Sequence, residues 1–399
     1  MKKSVLVVAA NMQIGGAERA LLGFLDAFDT SKYDLDLFIM HHDGPFLQYI
    51  PDKVKLLPQN SKYACLHVPY SKVMRQGHWK LAIGRLKGKY QAKRFLRKHS
   101  CTGPNSVTSL YSYKYTVGLL PEISDKEYDL AIGFTTPYYI VAAKTKAHKK
   151  VVWIHTDYSK EFSDRQSEEK SWSEYQRIFG VSASVCEAFV NKYPSLSQRV
   201  DVMENIVSPK IIQNQSEEFA VSDEMSDDGS IKLLSVGRFT HAKNFDNVPE
   251  ICSMIRSRGV NVKWYLIGYG GAEDLIKSKI QKFGMEDYVI ILGKKDNPYP
   301  YIKSCDIYVQ PSRFEGKCVS VREAQILHKP VVITNYTTAL SQLTDGVDGI
   351  IVPMDNEGCA QGITSVIQDK DLQNRLVKRT LQTEYSNNSE IKKIYRLLD

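Results

Sequence analysis

The sequence predicts an α/β protein made of two doubly wound parallel-sheet domains in tandem. Three observations lead there. Short apolar runs closed by turn residues alternate with helix-period segments along the chain, the order that builds parallel sheets with crossover helices. At 399 residues the chain exceeds what one core ordinarily organises. The series also restarts after SEEFAVSDEMSDDGS (216–230), a polar, acidic stretch that reads as a linker or surface insertion.

In the first half, SVLVVAA (4–10) is a strand by its run of β-branched residues, and GAERALLGFLDAF (16–28) is a helix by apolar residues three and four apart. YDLDLFIM (33–40), YDLAIGF (128–134) and KVVWIHT (150–156) are further strands. The second half offers IKLLSVG (231–237), VKWYLIG (262–268), YVIILG (288–293), DIYVQP (306–311) and PVVITN (330–335) as strands. Helical patterns separate them at 244–258, 272–283, 299–305 and 320–329. The expected divisions are a Rossmann-like domain over 1–207, a second over 208–375, and a helical segment over 376–399 that packs back on the first. Ligands of such sheets gather at the carboxyl ends of strands, which makes the interdomain cleft the expected site.

Composition narrows the class of protein. No apolar stretch reaches the roughly 18–20 residues that span a bilayer, and the opening MKKSVLVVAANMQIGG reads as a first strand rather than a signal peptide. Seven scattered cysteines without a C-x-x-C pair argue against a disulfide framework and a zinc site, and point to a reduced cytoplasmic setting. Residues 1–207 hold 29 Lys and Arg against 20 Asp and Glu, so the excess behind the net charge of +8 lies in the first half. Between Asp52 and Glu122 there are 14 Lys and Arg and no acid, densest in RQGHWKLAIGRLKGKYQAKRFLRKHS (75–100). Trp79, Ile83, Leu86 and Tyr90 recur there at helical spacing. A solvated helix face would account for the charge; the apolar interleaving suits an anionic membrane surface or a phosphorylated partner. Nucleic acid is not expected, because no recognition motif accompanies the charge.

The strand ends carry a small polar set. Gly15-Gly16 follows the first strand and opens a helix, where backbone amides meet an anion; a plain tight turn is the alternative. His155, with Asp157 beyond it, ends VVWIHTD and is either structural or catalytic. GRFTHAKN places Arg238 and Lys243 in a loop before a helix, one cation with a bidentate fork and one a point charge, as a diphosphate clamp requires. LIGYGG brings Gly268 and Gly270 to another strand end, suited to close approach of a ligand.

RFEGKCVSVREAQ sets Glu315 and Glu323 eight positions apart. On one helix they would stand roughly 80° apart and two turns distant, so a helix beginning between them is the better reading. Ser320-Val321-Arg322-Glu323 fits a capping box with Ser320 as N-cap, which competes with a ligand role for Glu323. The sole D-x-D, Asp34-Leu35-Asp36, lies within a strand and reads as its solvent face.

Taken together, Glu315 to Glu323 as E-x7-E with GRFTHAKN, LIGYGG, DIYVQPS, HKPVVITN and DGVDGIIVP in order resembles the retaining glycosyltransferases of family 4, of the GT-B fold, and among them bacterial capsule and cell-surface polysaccharide enzymes. The resemblance is strong over about 231–355 and weaker before it. It implies that Arg238 and Lys243 hold the diphosphate of a nucleotide-sugar donor, expected to be UDP-linked, with Gly15 and Gly16 against the phosphates and His155 at the sugar or leaving region. Glu323 would take the ribose, Glu315 the sugar hydroxyls, and the amides of Gly316, Lys317, Cys318 and Val319 would help hold that sugar. Lys317-Cys318 departs from the aromatic or apolar residue the family often has after the glycine, so the donor sugar does not carry over.

The implied activity is hexosyl transfer without metal or other cofactor, to a lipid-linked or oligosaccharide acceptor, by a protein peripheral to the inner membrane face. The alternatives are an epimerase of the same fold and a scaffold that only binds nucleotide sugars.

Overall fold

The computed structural model describes residues 2–101, 105–134, 138–156, 158 and 162–399. It divides into two compact units, one formed by Met1–Ile206 with Asn388–Asp399 and the other by Val207–Asn387. Residues 376–387 therefore lie with the second unit, where Leu376 and Thr380 are buried, and the returning segment begins at Asn388.

Among the described residues the first unit holds seven parallel strands: β1 (Lys3–Ala9), β2 (Tyr33–Ile39), β3 (Lys55–Leu56), β4 (Tyr128–Phe134), β5 (Ala147–Ile154), β6 (Arg177–Gly180) and β7 (Val200–Val202). Their order is β3-β2-β1-β4-β5-β6-β7. β1 is central and buried on both faces from Ser4 onward, as its unbroken apolar run requires. The 388–399 segment closes onto this unit. Tyr395 stacks on Tyr33 with ring centroids 4.9 Å apart, and its hydroxyl accepts from the Asp29 amide at 2.8 Å.

The second unit holds six: β8 (Ile231–Val236), β9 (Val262–Ile267), β10 (Val289–Gly293), β11 (Ile307–Gln310), β12 (Val331–Thr334) and β13 (Ile350–Val352), in the order β10-β9-β8-β11-β12-β13. Side-chain alternation splits its interior in two. Leu233, Trp264, Leu266, Ile307, Val309 and Val332 enter one core. Their neighbours Leu234, Tyr265, Ile267, Tyr308, Val331 and Ile333 enter the other. A sheet with helices on both faces needs this period of two with every position apolar.

Two expectations change. The 216–230 stretch is not a linker: Val221 and Met225 are buried in the second core, and the Glu224 side chain meets Lys295 and the Tyr301 hydroxyl, each at 2.5 Å. The chain enters the second unit at Val207, one residue from the expected division, and the Val207 amide donates to the Ser386 carbonyl at 2.9 Å. Asp36 is not on a solvent face; it is 4% exposed and accepts from the Tyr128 hydroxyl at 2.7 Å, while Asp34 is exposed. Strands β3, β6, β7 and β13, none longer than four residues, have no counterpart in the sequence reading.

The basic stretch forms the helix Trp79–Lys98, which lies on the helix Val107–Thr116 through Gly84 and Gly88. A Cβ at Gly84 would stand 2.7 Å from the Tyr115 carbonyl oxygen, and one at Gly88 2.6 Å from that of Tyr111. Only glycine lets the two backbones come so close.

Candidate functional site in the second unit

β8 and β11 are neighbours at the centre of the second sheet, while β9 and β12 lie outward on opposite sides. The loops leaving β8 and β11 therefore diverge from a topological switch point, where doubly wound sheets place their ligands. GRFTHAKN leaves the first strand and RFEGKCVS leaves the second. Arg313 fastens the two loops together. Its amide donates to the Ala242 carbonyl at 2.8 Å, and its guanidinium grips Asp246 at 2.8 and 2.9 Å and the His241 carbonyl at 2.7 Å. Burial would raise the Asp246 carboxyl, but Arg313 and then Lys279 outweigh it and hold it below the usual range. Asn244, in the left-handed region at φ 61°, turns the first loop so that Lys243 faces the second.

Lys243 meets Glu315 at 2.6 Å and Cys318 Sγ at 3.7 Å. Burial alone would favour the neutral amine, yet Cys318 and Glu315 hold the Lys243 pKa above its ordinary value. The Cys318 thiol is itself pushed up by burial and so is neutral at pH 7, which leaves Glu315 as the ionic partner. The stem of Lys243 lies along Gly237, where a Cβ would stand 3.0 Å from its Cε. Glu315 is fixed by a line of buried polar groups: Tyr308 donates to Gln310 at 2.8 Å, Gln310 to Ser312 at 2.9 Å, and Ser312 to Glu315 Oε1 at 2.6 Å. Both the lysine and the serine bonds fall on Oε1, which leaves Oε2 for a hydroxyl. A lysine has three N–H donors; two point at Glu315 and Cys318, and the third remains for an anion. Arg238 is exposed and, among the described residues, makes no hydrogen bond or ion pair.

The helix after this loop runs Val319–Ile326 with Cys318 at the N-cap, so the capping-box expectation fails. Ser320 sits inside the helix and donates back to the Val236 carbonyl at 3.3 Å. Glu323, wholly buried, accepts from the Tyr299 hydroxyl at 2.9 Å. The Cys318 amide is already satisfied by Gln342 Oε1 at 2.8 Å, and Gln342 Nε2 returns a bond to the Cys318 carbonyl at 3.2 Å. Thr338 binds the Glu315 carbonyl at 2.9 Å, and Lys317 reaches the Ser341 carbonyl. Gly316 and Val319 are half-buried beside them.

Gly268 and Gly270 are demanded by the protein's own packing. Their missing side chains would stand 1.9 Å from the Gly237 carbonyl oxygen and 2.5 Å from that of Phe239. The Phe239 amide donates to Tyr269 at 2.8 Å, so the loop after β9 lies flat on the loop that carries Arg238.

Gly15, Gly16 and His155 belong to the first unit. Gly15 caps the helix Gly16–Ala27 in extended conformation, and a Cβ on it would meet the Glu18 carboxylate at 2.1 Å. His155 lies one residue past β5, its ring 5.1 Å from Phe134 and 5.7 Å from Trp153. Burial lowers its pKa to about 3, so the ring is neutral at physiological pH, and its Nε2 is closed off without a partner among the described residues. Asp157 lies outside the described residues.

Gly237, Arg313, Asp246, Ser312, Gln310, Tyr299 and Gln342 were not anticipated. Gly237, Gln310, Ser312 and Arg313 stood within the quoted motifs; Asp246, Tyr299 and Gln342 act only through contacts the fold creates. Replacing Arg313 by alanine removes charged hydrogen bonds and is expected to cost about 2 kcal/mol of stability. Denaturant unfolding measures it, and because Asp246 is left without its main partner, the Arg313→Ala/Asp246→Ala double variant should lose less than the sum of the singles.

Two parallel, doubly wound sheets with the site at the switch point of the second define the GT-B class of fold. Residues 216–383, all within the second unit, match the model of the family described as glycosyl transferases group 1. The N-acetylgalactosamine-N,N'-diacetylbacillosaminyl-diphospho-undecaprenol 4-alpha-N-acetylgalactosaminyltransferase of Campylobacter jejuni is 27% identical over 189 residues, 47% of this chain and 49% of that one. The capsular polysaccharide biosynthesis glycosyltransferase CapM of Staphylococcus aureus is 29% identical over 167 residues, 40% and 44% of the two chains. The chain thus spans about half the length of these relatives. Among solved structures, Anabaena HepE in complex with UDP superposes with a TM-score of 0.64 at 16% identity, over 100% of this chain and 99% of that one. A variant of S. aureus TarM in complex with Fondaparinux, alpha-GlcNAc-glycerol and UDP gives 0.69 at 13% identity, over 100% of both. These likenesses establish the fold.

Proposed function

We propose that the chain is a retaining glycosyltransferase that moves a hexose from a UDP-linked donor to a lipid-linked saccharide in bacterial surface-polysaccharide synthesis, without a metal ion. The observation that carries this reading is the Lys243–Glu315 pair, partly buried and rigidly supported, at the switch point of the family-matched unit. Arg238 and the third N–H of Lys243 supply positive charge for the diphosphate. The free Oε2 of Glu315 suits the sugar hydroxyls, and Glu323, whose Oε1 already accepts from the Tyr299 hydroxyl, takes the ribose in this reading. In the transfer, the bond from the anomeric carbon to the diphosphate oxygen breaks, the acceptor oxygen bonds to that carbon on the same face, and its proton passes to the departing phosphate. Charge grows on the leaving group as the bond stretches, where fixed cations stabilise it most. Glu315 Oε1 is occupied by Lys243 and Ser312, which makes this carboxylate a poor nucleophile and favours front-face attack. Among the described residues no group of three His, Cys, Asp or Glu is placed to hold a metal.

The decisive experiment incubates the protein with UDP-sugars and lipid-linked saccharides and analyses products by mass and anomeric configuration. Transfer with retention, unchanged by EDTA, is expected. A sugar isomerised without acceptor would make the chain an epimerase, and donor binding without turnover would make it a scaffold. Arg238→Ala is expected to raise the donor KM about tenfold, the worth of one charge-assisted contact, with little change in Tm because the side chain is exposed. An unchanged KM removes Arg238 from the diphosphate.

A further inference from the structure

The helix Trp79–Lys98 has two unlike faces. At 100° per residue, Leu81, Gly84, Gly88 and Ala92 cluster on one side, and all four are buried. Trp79, Ile83, Leu86 and Tyr90 fall within about 60° of one another on the opposite side. They are 52%, 56%, 52% and 66% exposed. The helix carries eight Lys and Arg and no acid. Arg85 turns inward onto the Cys65 and Val68 carbonyls at 2.6 and 2.7 Å. The other seven are exposed, with Lys87 and Arg94 along one edge of the apolar stripe and Lys89 and Lys93 along the other. A solvated helix face has no use for four outward apolar side chains in register. Four such side chains bordered by cations match a surface with an apolar interior beneath an anionic skin.

We propose that this face docks the protein on anionic lipid bilayers, the stripe entering the headgroup boundary and the flanking cations meeting lipid phosphates. The glycine crossing described above holds the helix against Val107–Thr116, so the face is presented by a folded domain and does not have to form on contact. The inference stands apart from the proposed reaction, since it would hold for a protein that transfers nothing.

Trp79 is a built-in reporter, because the other three tryptophans, Trp153, Trp172 and Trp264, are at most 1% exposed. The intact protein is mixed with vesicles of phosphatidylcholine alone or containing phosphatidylglycerol, at low and at high salt. Expected are flotation with the anionic vesicles only, a blue shift and protection from acrylamide quenching of the exposed tryptophan, and at least a tenfold loss of affinity at high salt. The Ile83→Ser/Leu86→Ser/Tyr90→Ser variant should keep the parent Tm and lose at least tenfold in binding, while Leu381→Ser, also exposed but on another helix, should bind as the parent does. Absence of flotation with anionic vesicles overturns the proposal. So does equal binding by the triple variant, or capture by neutral vesicles. Trp79 protected by soluble polyphosphate but not by vesicles would assign the face to a phosphorylated partner and equally overturn it.

Discussion

Glu315→Ala is expected to lower sugar transfer about 10²- to 10³-fold, the scale of losing one preorganised charge stabiliser, and to cost about 3 kcal/mol of stability by stranding the Lys243 ammonium. The two losses have different origins and can be separated. Glu315→Gln keeps an oxygen for Ser312 and should recover part of the stability but little of the rate. The Lys243→Met/Glu315→Leu double variant removes both charges and should be more stable than Glu315→Ala while remaining inactive. Denaturant midpoints and initial rates for the three proteins settle the matter. If Glu315→Ala transferred at the parental rate, the reading of this carboxylate as a sugar contact would be wrong.

Gly268→Ala is expected to be the most damaging single-methyl change in the second unit, with a loss of at least about 3 kcal/mol. Its Cβ would fall 1.9 Å from the Gly237 carbonyl oxygen, and a backbone atom cannot step aside as a flexible side chain does. Gly237 also bears the stem of Lys243, so any shift should reach the cation and weaken nucleotide binding. Gly271→Ala is the control, because nothing lies within 4 Å of its added methyl. Urea unfolding and UDP titration of the two variants test this; equal stability would show that the two loops are not interlocked at Gly268.

The fold was legible because buried parallel strands must be apolar throughout. Nine were visible as runs, and helix boundaries such as Gly16–Ala27 and Glu273–Phe283 fell close to those expected. β3 and β7 escaped because two- and three-residue edge strands leave no period to read. The site was legible as residue types at strand ends, and the structure brings Lys243 against Glu315. What stayed hidden was how they are held. Nothing local distinguishes Arg313 as a clamp on Asp246, or Gln342 as the partner of the Cys318 amide, since each bond joins residues far apart in sequence. The capping box misled for a related reason: Ser320 has the right chemistry, but its hydroxyl is drawn to the Val236 carbonyl at the end of β8, and the helix starts two residues earlier.

The bond from the Val207 amide to the Ser386 carbonyl reaches beyond local geometry. The second unit is an insertion whose two ends meet, so once folded it behaves as a short clasp rather than a long loop. Most of the entropy of bringing Tyr395 back to Tyr33 and Asp29 is then met by its own folding. On a ribosome, the strands of the first unit emerge first yet receive their closing segment only after the whole insertion has been made. Folding therefore couples the two units in time: a substitution that slows the folding of Val207–Asn387 delays completion of the first unit's core.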